Sequence, residues 1–323
     1  MKNVAGALAL AVVALLASAA IAVHAARRRV VVSLPALEPP PRAPLPRPPR
    51  PPGPMRRVVV TPAGRRQYLA LLHRHLDAQR DDFDEWWLLA NAPDPEDAAY
   101  CERLAARVPW ARLLRGGSWS NPRDGSRNVS RLLNHFCRDP SAAFMKIDDD
   151  VVYLAPGFVR TLFDFRFENP HYFLVYGNTI NMPLLTWLHA KLGNFEPPRR
   201  VAYDPFCEGA WKDGRVAEAL HRAFLRDPLD PKWVAFERWI GTDHERMSIN
   251  AVVWFGADLG GATIGPDDEQ WMAVDRPREL GTHNAVCGAA VCAHFSFYTQ
   301  RAHLDATDLL ERYGALAPRR ARA

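Results

Sequence analysis

The apolar positions of this chain change period along its length, and the changes mark out its elements. Arg57-Val58-Val59-Val60-Thr61 is a β-branched run closed by Pro62 and Gly64, the pattern of a short strand. Tyr68, Leu69, Leu71, Leu72 and Leu76 then recur at spacings that bury one face of a helix. A second apolar run, Trp86 to Ala90, stops at Asn91-Ala92-Pro93-Asp94-Pro95, and Glu96 to Val108 returns to the helical period. Trp110 to Leu114 predicts a third strand before Gly116-Gly117, Arg127 to Cys137 another helix, and Ala143 to Ile147 a fourth strand. This β-α-β-α-β-α-β order predicts an α/β domain whose central sheet is mixed but mostly parallel, with helices on both faces. The second half is less regular. Tyr172 to Asn178 reads as a strand, Pro183 to Leu192 as a short helix bearing Trp187 and His189, and Val216 to Leu225 as a helix among long loops. Glu245 to Phe255 resumes an apolar run and Gln270 begins a further helix.

The N-terminal region follows another logic. Val4 to Val23 is uncharged and apolar, and twenty residues at about 1.5 Å each make roughly 30 Å of helix, the hydrocarbon thickness of a bilayer. A membrane anchor over residues 1–28 is expected, with a cleaved signal peptide ending near Val23-His24-Ala25 as the competing reading. Lys2 before the span and Arg27-Arg28-Arg29 after it leave the orientation open. A stem over residues 29–56 follows. Eleven of the twenty residues from Pro35 to Pro54 are proline, a composition that favours extended polyproline II over a packed core. Residues 57–323 form the expected catalytic domain.

Charge divides at the same place. Residues 1–57 hold Lys2 and eight arginines against the single acid Glu38, a net +8, whereas the whole chain carries only +5, so residues 58–323 are acidic by three charges. The basic character belongs to the tether and gives no reason to expect nucleic-acid binding. The five cysteines, Cys101, Cys137, Cys207, Cys287 and Cys292, show neither CxxC pairing nor zinc spacing. One glycosylation sequon, Asn128-Val129-Ser130, has meaning only in a eukaryotic secretory lumen.

The densest candidate chemistry is Asp148-Asp149-Asp150, directly after the fourth strand. Adjacent carboxylates repel one another, and a divalent cation such as Mg²⁺ or Mn²⁺ relieves that repulsion with hard oxygen ligands. Open α/β sheets bind ligands beyond the carboxyl ends of their strands, where this triplet lies. Extended alternation would put Asp148 and Asp150 on one side, for metal, and Asp149 on the other. A solvated acidic turn is the bland alternative. Asp267-Asp268-Glu269, after Gly265-Pro266, reads either as a helix cap or as a general base. His294, after the short apolar residues Val291-Cys292-Ala293, fits a strand end. Thr61 and Asn91, at the ends of early strands, and Arg127 are nucleotide contacts by placement. Trp187, His189 and Trp211 are sugar-stacking candidates whose default is a packed core. Asp243 is more readily an N-cap.

The block Lys146-Ile147-Asp148-Asp149-Asp150-Val151-Val152-Tyr153 resembles the DxD signature of GT-A-fold glycosyltransferases, in the version seen in β1,3-glycosyltransferases and Fringe-like enzymes. The chain as a whole looks most like less-characterised fungal and bacterial glycosyltransferases with a KIDDD-type block. The likeness spans residues 57–302 in architecture and is close in three short blocks. It implies a Rossmann-like GT-A sheet and transfer of a hexosyl-type sugar from a nucleoside diphosphate, a UDP-sugar, to a glycan, lipid or protein hydroxyl. It further implies Mn²⁺ or Mg²⁺ held by Asp148, Asp150 and His294, with Asp148 and Asp149 also contacting the nucleotide. Inversion at the sugar carbon would use Glu269 as base beside Asp268. The acidic pair is reversed in type relative to that family and extended by Asp267. Localisation would be the Golgi or endoplasmic reticulum lumen in a eukaryote, or a bacterial membrane. Two other classes stand beside this one. A metal-dependent phospho- or nucleotidyltransferase would share the carboxylates, although no GxxxxGK[ST] loop is present. A non-catalytic glycan-binding scaffold would be expected to have lost one of the three blocks.

Overall fold

The computed structural model describes residues 54–241 and 244–318. The expected anchor and nearly all of the stem lie outside the described residues, as does Asp243. Among the described residues no helix is long and apolar enough to cross a membrane.

Among the described residues nine strands form one mixed sheet in the order β3-β2-β1-β4-β8-β6-β9-β5, with β7 pairing on β9. β1 (Arg56–Ala63), β2 (Glu85–Ala90), β3 (Ala111–Leu114) and β4 (Ala142–Ile147) are the four strands expected from the first half, and they pair in parallel. The three expected helices, α1 (Arg66–Asp77), α2 (Pro95–Arg107) and α3 (Ser126–Phe136), link them in turn. Asp94 caps α2 by accepting from the backbone N–H groups of Glu96 and Asp97, with Pro95 in the first turn. The second half departs from the parallel rule. β8 (Ala251–Phe255) runs antiparallel between β4 and β6 (Val175–Ile180). β5 (Val151–Leu154) and β7 (Arg238–Gly241) run antiparallel to β9 (Asn284–His294). The mostly parallel expectation therefore holds for β1 to β4; beyond them β6 and β9 pair in parallel, but the pairs around them are antiparallel.

The sheet is buried on both sides, which explains why its strands read as continuous apolar runs. Along β1, Val59 and Ala63 face a layer with Leu69 and Leu72 of α1 and Phe158 and Leu162 of α4 (Phe158–Glu168). Val58 and Val60 face the opposite layer, with Leu132 and Leu133 of α3 and Leu185 of α5 (Pro183–Lys191). A third cluster gathers Tyr68, Tyr153, Phe224, Trp233, Phe295 and Tyr313 beneath α6 (Gly214–Phe224) and α7 (Leu309–Leu316). All five cysteines are buried free thiols. Asn128 is fully buried and its side-chain oxygen accepts from Ser120 Oγ (2.7 Å) and the Asn121 amide (2.9 Å), so the sequon is not an acceptor in the folded chain.

Arg56, just before the expected domain start, belongs to the fold. The Arg56 amide donates to Ser141 O (3.0 Å), and its guanidinium pairs with Glu85 (3.0 Å) and Asp139 (2.9 Å). A chain beginning at Pro54 should match the full chain in urea midpoint. Beginning at Val58 should cost about 1–2 kcal/mol, the sum of a backbone hydrogen bond and half-exposed ion pairs. Equal midpoints for the two truncations would show that the first turn of β1 contributes nothing.

Candidate active site

β1, β4 and β8 bring their ends to one place, and the acidic triplet lies there in a turn. The Val151 amide donates to Asp148 O (3.1 Å), closing a tight link between β4 and β5. That turn overturns the extended alternation expected for the three aspartates. Asp148 points back to Lys146, with which it forms an ion pair, and accepts from Asn250 Nδ2 (3.3 Å). Asp149 accepts from the Gly64 amide (2.9 Å) and from Arg65 Nε (3.3 Å). Asp150 meets Arg65 Nη1 (2.9 Å) and His294 Nε2 (3.3 Å) through the same oxygen. Gly64 leaves room for this approach, since a Cβ there would stand 3.3 Å from Asn91 O and 3.4 Å from the Asp149 carboxylate.

Charge at the turn is compensated from several directions. Burial alone would raise the Asp150 carboxyl, but Arg65 and His294 together hold it well below the usual carboxylate range. Burial would likewise lower the Lys146 ammonium, and the opposing attraction of Asp148, Asp268 and Glu269 raises it instead. Asp268 is different: burial pushes it up to about 6, with Asp148, Glu269 and Asp267 adding to the rise against Lys146.

The Asp267–Glu269 segment splits three ways. Asp267 caps the helical stretch that follows, accepting from the Gln270 amide (2.9 Å). Glu269 is held by Arg246 Nε (3.1 Å), and Arg246 also pairs with Asp267 (3.0 Å). Asp268 is buried, and no hydrogen bond from a described residue reaches its carboxylate. After Gln270 the helix passes through a π-helical turn, Trp271–Asp275, before Arg276–Glu279. Such turns recur beside functional sites because they re-aim the residues preceding them.

Two clefts meet at Asp268 and Glu269. One, of about 720 Å³, is lined by Asp148, Asp149 and Asn91 together with Arg65, Lys146 and Arg301. A hollow of about 230 Å³ adjoins it at Pro122, among Ala63, Ala90 and Leu113 at the ends of β1, β2 and β3. The other cleft, of about 670 Å³, has the same two acids in its lining, with Arg127, Arg246 and Asp267.

Most of the expected residues are thus placed around one centre, with four corrections. Thr61 is fully buried and accepts from Trp86 Nε1 (2.9 Å), so it serves the core rather than a ligand. Arg127 lines the second cleft, not the acid-lined one. His189 is locked between Asn178 (2.9 Å) and Asn194 (2.8 Å), and Trp187 packs on Tyr203, so neither is a sugar platform. The metal set does not converge as expected: among the described residues no three His, Cys, Asp or Glu side chains form a cation site. Asp150 and His294 come within 3.3 Å of each other, but the same Asp150 oxygen meets Arg65, so a divalent ion held by this pair would have to displace the guanidinium. Asp148 faces Lys146 instead. Arg65, Lys146 and Asn250 carry no role in the sequence reading. The signal for Arg65 was its place immediately after the first strand, at the mouth where such sheets bind ligands.

No family model and no curated protein matches the chain. Among solved structures, a mannosyltransferase from Pyrobaculum calidifontis in complex with GDP-Man and Mn²⁺ is similar at 14% identity, over 85% of this chain and 67% of that one, with a TM-score of 0.44. A CMP:2-keto-3-deoxy-manno-octonic acid synthetase complexed with CTP is similar at 11% identity over 82% and 99%, with a TM-score of 0.39. A 4-diphosphocytidyl-2C-methyl-D-erythritol synthase from Anaerococcus prevotii is similar at 14% identity over 38% of this chain and just over half, 55%, of that one, with a TM-score of 0.28. At these scores the likenesses assign no chemistry.

Arg65 is the most exposed to test. Arg65→Gln leaves two buried carboxylates without their guanidinium and should cost about 3 kcal/mol at neutral pH in urea unfolding. Because Asp150 is depressed in the folded state, its stabilisation is present above the ordinary carboxylate pKa and is lost as pH falls toward the folded value. The variant's carboxylates titrate higher, so its deficit should narrow between about pH 7 and pH 4. Millimolar Mn²⁺ should recover more stability in the variant than it adds to wild type. A deficit indifferent to both pH and Mn²⁺ would reduce Arg65 to a packing role.

Proposed function

We propose that this chain is a glycosyltransferase that moves a sugar from a nucleoside diphosphate donor to an acceptor hydroxyl with inversion at the sugar carbon. One observation carries the reading: two clefts of ligand size share the carboxylates of Asp268 and Glu269 in their linings. A group-transfer enzyme needs donor and acceptor sites that meet at one reacting centre.

The acid-lined cleft takes the donor. Arg65, Lys146 and Arg301 supply cations for a diphosphate, and the hollow at the ends of β1, β2 and β3 takes the base. A divalent ion on Asp150 and His294, Mn²⁺ or Mg²⁺, would add positive charge against the leaving diphosphate. A UDP-sugar remains the preferred donor. Asp268, rather than the Glu269 expected from the sequence, is the base. Arg246 ties Glu269 down, whereas the Asp268 carboxylate has no such partner among the described residues and is pushed up to about 6 by burial. The acceptor O–H gives its proton to Asp268 as its oxygen bonds to the sugar carbon. The bond from that carbon to the diphosphate oxygen breaks, and the electron pair leaves with the nucleoside diphosphate. A carboxylate poised near neutrality suits this task, being largely ionised at working pH yet basic enough to accept the proton. The tether expected over residues 1–28 would hold the enzyme at a Golgi, endoplasmic reticulum or bacterial membrane.

Asp268→Asn should lower turnover by about 10²–10⁴-fold, and Glu269→Gln by clearly less. In wild type, log kcat/KM should climb with pH to about 6 and then level, because only ionised Asp268 accepts the proton. Assaying a panel of nucleotide sugars with Mn²⁺ should release nucleoside diphosphate, with the product anomer inverted by NMR. Release of pyrophosphate from a nucleoside triphosphate would instead identify a nucleotidyltransferase. A larger loss in Glu269→Gln would return the base to Glu269.

A further inference from the structure

We infer that the second cleft binds a saccharide acceptor, stacked on the exposed rings of Phe206 and Tyr298. The inference rests on the glycosyl-transfer reading above and names the acceptor class that reading left open.

Exposed aromatic rings are rare on this protein and are concentrated here. Among the described residues the exposed large hydrophobics include three aromatics, and two of them, Phe206 (50% exposed) and Tyr298 (70%), line this one cleft. Scattered exposed side chains need no explanation, but two rings on one wall of a cleft that ends at Asp268 do. Trp211 lies between them, 5.9 Å from Phe206 and 5.6 Å from Tyr298 by ring centroids. Trp211 lines the cleft with them, and Lys212 Nζ sits 4.9 Å over its ring. The row continues inward through Phe297 to His294, whose ring is 4.6 Å from that of Phe297. A ligand lying along these rings is led to the acids where the donor cleft begins.

The backbone holds this platform in place. Cys207 and Glu208 both adopt φ 51°, a left-handed conformation uncommon for residues with side chains, and Gly209 follows at φ 78°. The Asp204 carboxylate stabilises the turn by accepting from the amides of Phe206 (2.8 Å) and Glu208 (2.6 Å). Thr299 Oγ1 donates to Trp211 O (2.9 Å) and Gln300 Nε2 to Ala210 O (3.2 Å), tying the Phe206 loop to the Tyr298 segment. Strain of this kind persists where surrounding structure fixes a local geometry, and here it presents Phe206 to the cleft.

Wall composition selects the occupant. Arg127, Arg246 and Asp267 share the cleft with the rings. A sugar offers apolar C–H faces to aromatic rings and hydroxyls to charged groups, so it uses both kinds of wall. An acyl chain would have to desolvate those charges without replacing their hydrogen bonds.

Saturation-transfer NMR on the full chain tests this with cellobiose, lactose, maltose, mannobiose and chitobiose as probes. Separate arms use phosphatidylglycerol vesicles and a Ser/Thr peptide. At least one disaccharide should receive saturation at millimolar concentration. The Phe206→Ala/Tyr298→Ala double variant should weaken that contact at least tenfold, while calorimetric affinity for UDP or GDP stays within twofold. Undiminished saccharide contact in the double variant overturns the inference. So does contact with vesicles or peptide but no disaccharide, or with none of the probes. A wild-type chain that binds no nucleoside diphosphate fails the glycosyl-transfer reading itself, whereas nucleotide binding without saccharide binding fails only this step.

Discussion

Four carboxylates, those of Asp148, Asp149, Asp150 and Asp268, are brought out of bulk water within one region of the protein, and Asp149, Asp150 and Asp268 are each nearly inaccessible. Removing an ion from water costs several kcal/mol even after relaxation, so such a cluster forms only where compensation is built in. Arg65, Lys146 and His294 provide it, with the Gly64 amide. Each comes from a different part of the chain: the end of β1, the body of β4 and the end of β9. The sheet order follows the same requirement, because placing β4 between β1 and β8 brings Arg65 to one side of the turn and Asn250 to the other.

Compensation is uneven, and the unevenness is where chemistry can occur. Asp150 is over-compensated by Arg65 and His294, whereas Asp268 has only the nearby Lys146 against three carboxylates. Environments that push neighbouring acids in opposite directions divide labour between them. A depressed carboxylate suits holding positive charge, and a raised one suits taking a proton. The antiparallel β8 supports this division, since it closes the sheet beside β4 and leads the chain on toward the Asp267–Glu269 segment.

Much of the first half was legible because its strands are buried on both faces and its helices on one, which imposes clear periods on the apolar residues. The runs at Val58–Val60, Trp86–Leu89 and Ala143–Ile147 each became the predicted strand. The second half was harder to read. β9 contains Gly288 and a run of alanines, too small to read as a strand, yet a Cβ at Gly288 would come 1.8 Å from Phe236 O. The backbones of β9 and the segment before β7 touch there, and small residues are what that contact demands. Site residues divided in a similar way. The acids stood out as a cluster in sequence, but their directions depended on a turn that periodicity does not encode. Thr61 had the position of a ligand contact and the orientation of a core residue. Arg65 could be seen as a strand-end residue, but its grip on Asp149 and Asp150 exists only once β1 and β4 lie side by side.

The Asp267-Asp268-Glu269 run shows why local sequence cannot allocate roles among adjacent acids. All three lie at a helix start, where carboxylates are favoured by the unpaired amides and the helix dipole, so capping accounts for the composition equally well at each position. Successive residues in a helical turn point about 100° apart, so one cap residue fixes the directions of the next two. With Asp267 committed to the Gln270 amide, Glu269 turns toward Arg246 and Asp268 toward Lys146 and the acid turn. The guanidinium of Arg246 spans Asp267 and Glu269 and thereby holds the two acids on either side of Asp268. It neutralises the neighbours while leaving the central carboxylate buried beside like charge. The cap, the ion pair and the raised carboxylate are therefore one arrangement. The proton-accepting role proposed for Asp268 depends on which acid the cap leaves facing inward.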